Sequence, residues 1–140
     1  MSAFKIHDQL LRDCHVLGRL ERSHVLLHRN ALLHWFILVP ETDHLDVLDL
    51  EKTIRLEVVG EAASLSFVLK KRLSYPKVNF AAIGNVVPQM HLHVIGRKPG
   101  DSVWPAPVWG HLTAASSYSA EQVSTIVDLL TTDCGLRENG

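Results

Sequence analysis

Cysteine is scarce: Cys14 and Cys134 are the only two, they lie far apart, and neither belongs to a Cys-x-x-Cys pair. That spacing favours reduced, inert thiols over a disulfide framework or a thiolate zinc clamp. Charge of one sign is not in excess either, since 14 Lys and Arg against 15 Asp and Glu leave a net charge of −1. A chain without a broad cationic field is not expected to bind nucleic acid or an anionic membrane, although a small phosphate ligand stays open to it. No apolar run approaches membrane-spanning length, and Met1–Asp8 lacks the apolar core of a signal peptide. The expectation is a soluble, cytoplasmic protein. Repeats and low-complexity linkers are also missing, so residues 1–140 read as one domain with one core.

The elements follow from apolar spacing. Ile6, Leu10, Leu11 and Cys14 recur at helical intervals and predict a first short helix, which Gly18 closes off. Ser23–Asn30 reads as a strand, with His24 and His28 on its exposed edge. The run Leu32–Val39, stopped by Pro40, has the composition of a central strand packed on both faces; His34 within it reads as a satisfied core histidine. Thr42 and Asp43 offer an N-cap for a helical turn through Leu45 and Leu48. Leu50, Ile54, Val58, Leu65 and Leu69 mark the longest helix, ending near Leu73 with Lys70, Lys71 and Arg72 favourably placed at its carboxyl end. Tyr75-Pro76 breaks it, Lys77–Ile83 forms the next strand, and Gly84-Asn85 suits a tight turn. Two prolines exclude Trp104–Gly110 from a central strand and leave it as a loop, with Trp104 filling the core beneath it. Ser119–Gln122 resembles a capping box that opens a last helix through Leu130, with Gly135 as its stop.

The stretch the rest serves is Gln89-Met90-His91-Leu92-His93-Val94-Ile95. In a strand, residues two apart share a face, so Gln89, His91 and His93 line one side while Met90, Leu92 and Val94 face the core. Imidazoles titrate near neutral pH and act as nucleophile, acid, base or ligand, which makes two side by side an adaptable pair.

With Asn79–Pro88 upstream and Gly96–Pro105 downstream, this segment resembles the signature region of the histidine triad (HIT) family of nucleotide hydrolases and transferases. The family motif is His-φ-His-φ-His-φ-φ, with φ apolar. His91 and His93 match its second and third histidines; Gln89 replaces the first. The resemblance is strongest over 79–105 and weaker over 24–40. It implies an α+β domain, an antiparallel sheet with helices packed on one face, which the element order also suits. It further implies that His91 attacks the α-phosphorus of a nucleotide to give a covalent nucleotidyl-imidazole, with His93 donating to the phosphate oxygens. By the same analogy Asn79 and Asn85, and less strongly Asn30, contact phosphate or ribose, and the protein forms a homodimer. No cofactor and no metal are expected.

Gln89 decides which substrates are credible. A carboxamide cannot hand a proton to a departing group, so the expectation is a hydrolase for nucleotide anhydrides such as diadenosine polyphosphates, with Gln89 counted among the catalytic residues. Two other readings stand beside it: a nucleotide-binding sensor with little turnover, and a metal site in which His28, His34 or His111 joins the His-x-His pair. Asn85 after Gly84 is equally what a turn wants, whereas Asn79 sits mid-strand, where Asn is disfavoured.

Overall fold

The structure is a computed structural model that describes residues 3–139. Five antiparallel strands form one open sheet in the order β1-β2-β3-β5-β4. They are β1 (Cys14–Arg19), β2 (Ser23–His28), β3 (Trp35–Pro40), β4 (Lys77–Ala81) and β5 (Leu92–Arg97). Among the described residues three α-helices accompany it: α1 (Asp8–Asp13), α2 (Lys52–Lys71) and α3 (Ala120–Cys134). Among the described residues no helix is long and apolar enough to cross a membrane.

The sheet is covered on both sides because the central strands are apolar on both faces. Phe36 and Leu38 of β3, with Leu92 and Val94 of β5, face Val58, Leu65 and Leu69 of α2 and Ile126 and Leu130 of α3. Their neighbours Trp35, Ile37, Val39 and Ile95 turn the other way and meet Leu10 of α1, Val87 and Val108. Pairing of Phe36 with Val94 and of Ile37 with His93 fixes this alternation, placing His93 on the side away from the long helices. Met90, two residues ahead of β5, also joins Leu92 and Val94 in the helix-side core.

Helix ends follow the sequence signals. Ser119 and Gln122 close a reciprocal capping box, and Gly135 ends α3 in the left-handed conformation, with φ 71°. At the end of α2, Arg72 is drawn into a hydrogen-bonded ion pair with Asp133 of α3, at 2.7 Å. Gly96 has a packing reason: a Cβ there would lie 2.5 Å from the ring of Tyr75, which is buried beneath β5.

Four expectations are corrected. Cys14–Arg19 is not a helix end but an edge strand, paired with β2 through a register shift between Val16 and Gly18. Consequently β2 is interior, and His24 and His28 are half-buried: His24 stacks on Phe4 and His28 on Trp35. The segment after Pro40 forms a single turn of 3-10 helix at Val47–Asp49, following Asp46, whose side chain makes no cap bond. Thr42 instead accepts from the amide of His44. Finally, β4 and β5 do pair antiparallel, but a long excursion over residues 82–91, not a two-residue turn, joins them.

Candidate active site

His91 precedes β5 and His93 is its second residue, both nearly buried, with ring centroids 5.0 Å apart. They share a cleft of about 330 Å³ on the face opposite α2. Its walls come from distant parts of the chain: Gln9, Leu10 and Asp13 from α1; His28, Trp35 and Ile37 from β2 and β3; 83–87 from the β4–β5 excursion; and Trp109 from the proline-containing loop.

Hydrogen bonds assign each ring its proton. His91 Nδ1 lies 2.7 Å from the backbone carbonyl of Gln89. A carbonyl only accepts, so Nδ1 carries the hydrogen and the neutral ring keeps its lone pair on Nε2. The opposite holds at His93, where the indole N–H of Trp35 donates to Nδ1 over 3.0 Å. Trp is a donor only; His93 therefore keeps Nδ1 bare and its hydrogen on Nε2. Burial, reinforced by His91 and His28, pushes the His93 pKa down from 6.5 to about 3, which keeps that ring neutral. One cleft thus presents a nucleophilic nitrogen beside a neutral N–H donor. Trp109 packs edge-on against both His93 and Trp35 and forms the wall of the cleft beside them.

His28 repeats the pattern. Its Nδ1 accepts from the amide of Asn30 at 3.1 Å, its ring stacks on Trp35 with centroids 4.1 Å apart, and burial lowers its pKa.

The other expected site residues separate. Asn85 lines the cleft. Gln89 does not: its side chain accepts from the amide of His7 and donates to the carbonyl of Lys5. Strand geometry begins only at Leu92, so the two-residue alternation does not extend back to position 89. Asn79 pairs with Ile95, toward the far end of β5, where its Oδ1 accepts from Arg97 at 2.9 Å. There it belongs to a buried network in which Asp101 also binds Arg97 and the amides of Lys98 and Val103, tying down the loop that follows. Asn30 stitches the segment after Gly110 to the sheet, donating to the Ala114 carbonyl and accepting from the Ser116 amide. Trp104 is 38% exposed, over the Arg97 guanidinium, and fills no core. His34 is half-buried against Tyr75, whose hydroxyl lies 2.7 Å from its Nδ1.

Trp35 and Trp109 are the residues that sequence reasoning missed, whereas His28 lines the cleft in place of the exposed edge expected of it. Among the described residues, no three His, Cys, Asp or Glu side chains are grouped to hold a metal ion.

An open antiparallel sheet carrying two oriented imidazoles at the start of an interior strand defines the class. The family profile of the HIT domain matches residues 10–100, and the chain belongs to that family. It is similar over nearly its whole length to a histidine triad protein from Bradyrhizobium japonicum, at 34% identity, TM-score 0.87, and coverage of 94% of this chain and 98% of the other. A histidine triad protein from Marinobacter aquaeolei is 33% identical, TM-score 0.87, covering 97% and 100%. A protein described as a hypothetical histidine triad nucleotide-binding protein from Sulfolobus tokodaii, at 14% identity, TM-score 0.61 and coverage of 91% and 92%, shares the fold. Comparison with curated proteins gives no match.

Proposed function

We propose that this protein is a cytoplasmic nucleotide hydrolase or nucleotidyl transferase working through a covalent intermediate on His91. The observation that carries the reading is the pair of complementary tautomers, set by the Gln89 carbonyl and the Trp35 indole. The Nε2 lone pair of His91 attacks the α-phosphorus, and the bond from phosphorus to the bridging oxygen breaks. That oxygen leaves with its electron pair. Positive charge then grows on the imidazole, and the Nδ1–H bond to the Gln89 carbonyl strengthens as it does. His93 Nε2–H donates to a non-bridging phosphoryl oxygen, the positioning and charge stabilisation on which phosphoryl-type transfer depends. Water next attacks phosphorus, the P–N bond breaks, and the lone pair returns to His91 while the proton of water passes to solvent.

The apolar wall of Leu10, Ile37 and Val87 suits a nucleobase, and nucleotide binding is also what membership of the family supports. Because His93 and His28 are both held toward the neutral form, the cleft is poor in proton donors for a departing amine. That favours leaving groups that depart as anions, hence nucleotide anhydrides such as diadenosine polyphosphates over phosphoramidates. Incubation with a dinucleoside polyphosphate, acid-free quenching and intact-mass analysis test the reading. A nucleotidyl adduct that maps to His91 and is missing in His91→Ala supports it; steady turnover by His91→Ala rejects it.

The functional unit is a homodimer in this reading. Leu56, Val59 and Phe67 leave an apolar stripe exposed along α2, and β4 is a sheet edge open to pairing. Light scattering after gel filtration checks it, with a monomer at micromolar concentration as the contrary result.

A further inference from the structure

Gln89 has the right chemistry for one job and the wrong position for another. Its carboxamide accepts from the His7 amide at 2.8 Å and donates to the Lys5 carbonyl at 2.9 Å. These two backbone groups flank Ile6, which is buried in the same cluster as Leu10, Trp35 and Ile37. In an extended segment the carbonyl before a residue and the amide after it point to the same side, and a neighbouring strand would normally meet both. A carboxamide offers a donor and an acceptor in that same arrangement. An imidazole carries its N–H and its lone pair on nitrogens that point apart, so the histidine of the family motif could not engage both groups at once. Directly after this clamp, His7 caps α1 through Nδ1, and α1 delivers Gln9, Leu10 and Asp13 to the cleft.

We propose that Gln89 is a positioning residue: it fixes α1 as a wall of the nucleotide cleft and governs substrate affinity, without contributing to leaving-group departure. The part concerning affinity rests on the nucleotide reading above; the part concerning α1 does not. Two variants test it. Gln89→Met keeps the length and loses both hydrogen bonds, while Gln89→Glu keeps the acceptor and regains a donor only when its carboxyl is protonated.

The measurements are kcat and KM on a dinucleoside polyphosphate, calorimetric binding of AMP, and amide exchange over residues 5–13. For Gln89→Met, KM and the AMP dissociation constant should rise about tenfold, the loss of two ordinary hydrogen bonds in part offset by water. Its kcat should stay within about threefold of wild type, as expected when a lost interaction serves ground and transition states equally. Exchange at 5–13 should quicken while β3 and β5 stay protected. Gln89→Glu should approach wild-type AMP affinity, measured relative to wild type at each pH, as acidification protonates the carboxyl. A fall in kcat at unchanged KM would place Gln89 on the reacting atoms and overturn the proposal; so would unchanged kinetics together with unchanged exchange. If wild type neither binds AMP nor turns over, the nucleotide reading fails. Exchange at 5–13 in Gln89→Met then stands alone as the judge, supporting the clamp if quickened and refuting it if not.

Discussion

Replacing Trp35 with Phe removes one N–H from a buried ring and asks whether that hydrogen sets the state of His93. In the native chain the indole donates to His93 Nδ1 at 3.0 Å, and Trp35 is 7% exposed, so water cannot readily substitute. An orphaned buried acceptor costs about 1–3 kcal/mol, and the smaller ring adds roughly 1 kcal/mol of lost packing against His28 and Trp109. A fall in Tm of roughly 7–14 °C follows for a domain of this size. The functional effect is more specific. Without the indole, His93 is free to carry its hydrogen on Nδ1 and to present a bare nitrogen to the phosphoryl oxygen. Losing one aligned donor to developing negative charge costs on the order of a hundredfold in kcat, and a mixed tautomer population softens that to between about tenfold and a hundredfold. KM should change little. Steady-state kinetics give the rates, and nitrogen-15 correlation spectra of the imidazoles read the tautomer directly. A wild-type spectrum with the His93 proton on Nδ1, or a Trp35→Phe variant with undiminished kcat, would refute the reasoning.

Other outcomes follow from the same geometry. His91→Ala should abolish turnover, and His91→Gly should regain part of it with free imidazole, measured as product release with and without the additive. Burial holds His93 at about 3 and lowers His28 and His34 as well, so the unfolded chain takes up protons that the native state refuses. Stability should therefore be complete above pH 6.5 and decline as pH falls from there toward 3, by about 1.4 kcal/mol per unit for each fully displaced group. Urea unfolding at pH 7 and pH 5 measures the slope; His93→Gln should flatten it, and an identical slope argues against a neutral buried His93. Gly96→Ala should lower stability by roughly 1–3 kcal/mol through collision with Tyr75, seen in thermal melts, and a wild-type Tm would show that the ring yields freely.

The sheet, the long helix and the central histidine pair were legible because each is written in local spacing. Leu32–Val39 is apolar without a break, α2 repeats at helical intervals, and Ser119 and Gln122 sit three apart. Strand β1 was not legible, since Ile6, Leu10 and Cys14 continue a helical rhythm into it and only pairing with β2 makes it extended. The partners of the histidines were out of reach for another reason. Trp35 meets His93 from 58 residues away, and Trp109 arrives on a loop whose path is set by the Arg97–Asp101 network, neither of which leaves a pattern in neighbouring residues. Asn79 and Asn30 carried the expected polar groups but spend them on Arg97 and on the segment after Gly110. Their chemistry was readable and their direction was not.

The pairing of Phe36 with Val94, next to that of Ile37 with His93, ties the packing under α2 and the contents of the cleft to one register. A slip of one residue between these strands would thrust an imidazole among the leucines under α2 and hand Val94 to the cleft. Foldability and reactivity therefore depend on the same ladder at this point. Drift in substrate preference has to travel through the loops and α1, where a wall can be rebuilt and the central ladder left as it is.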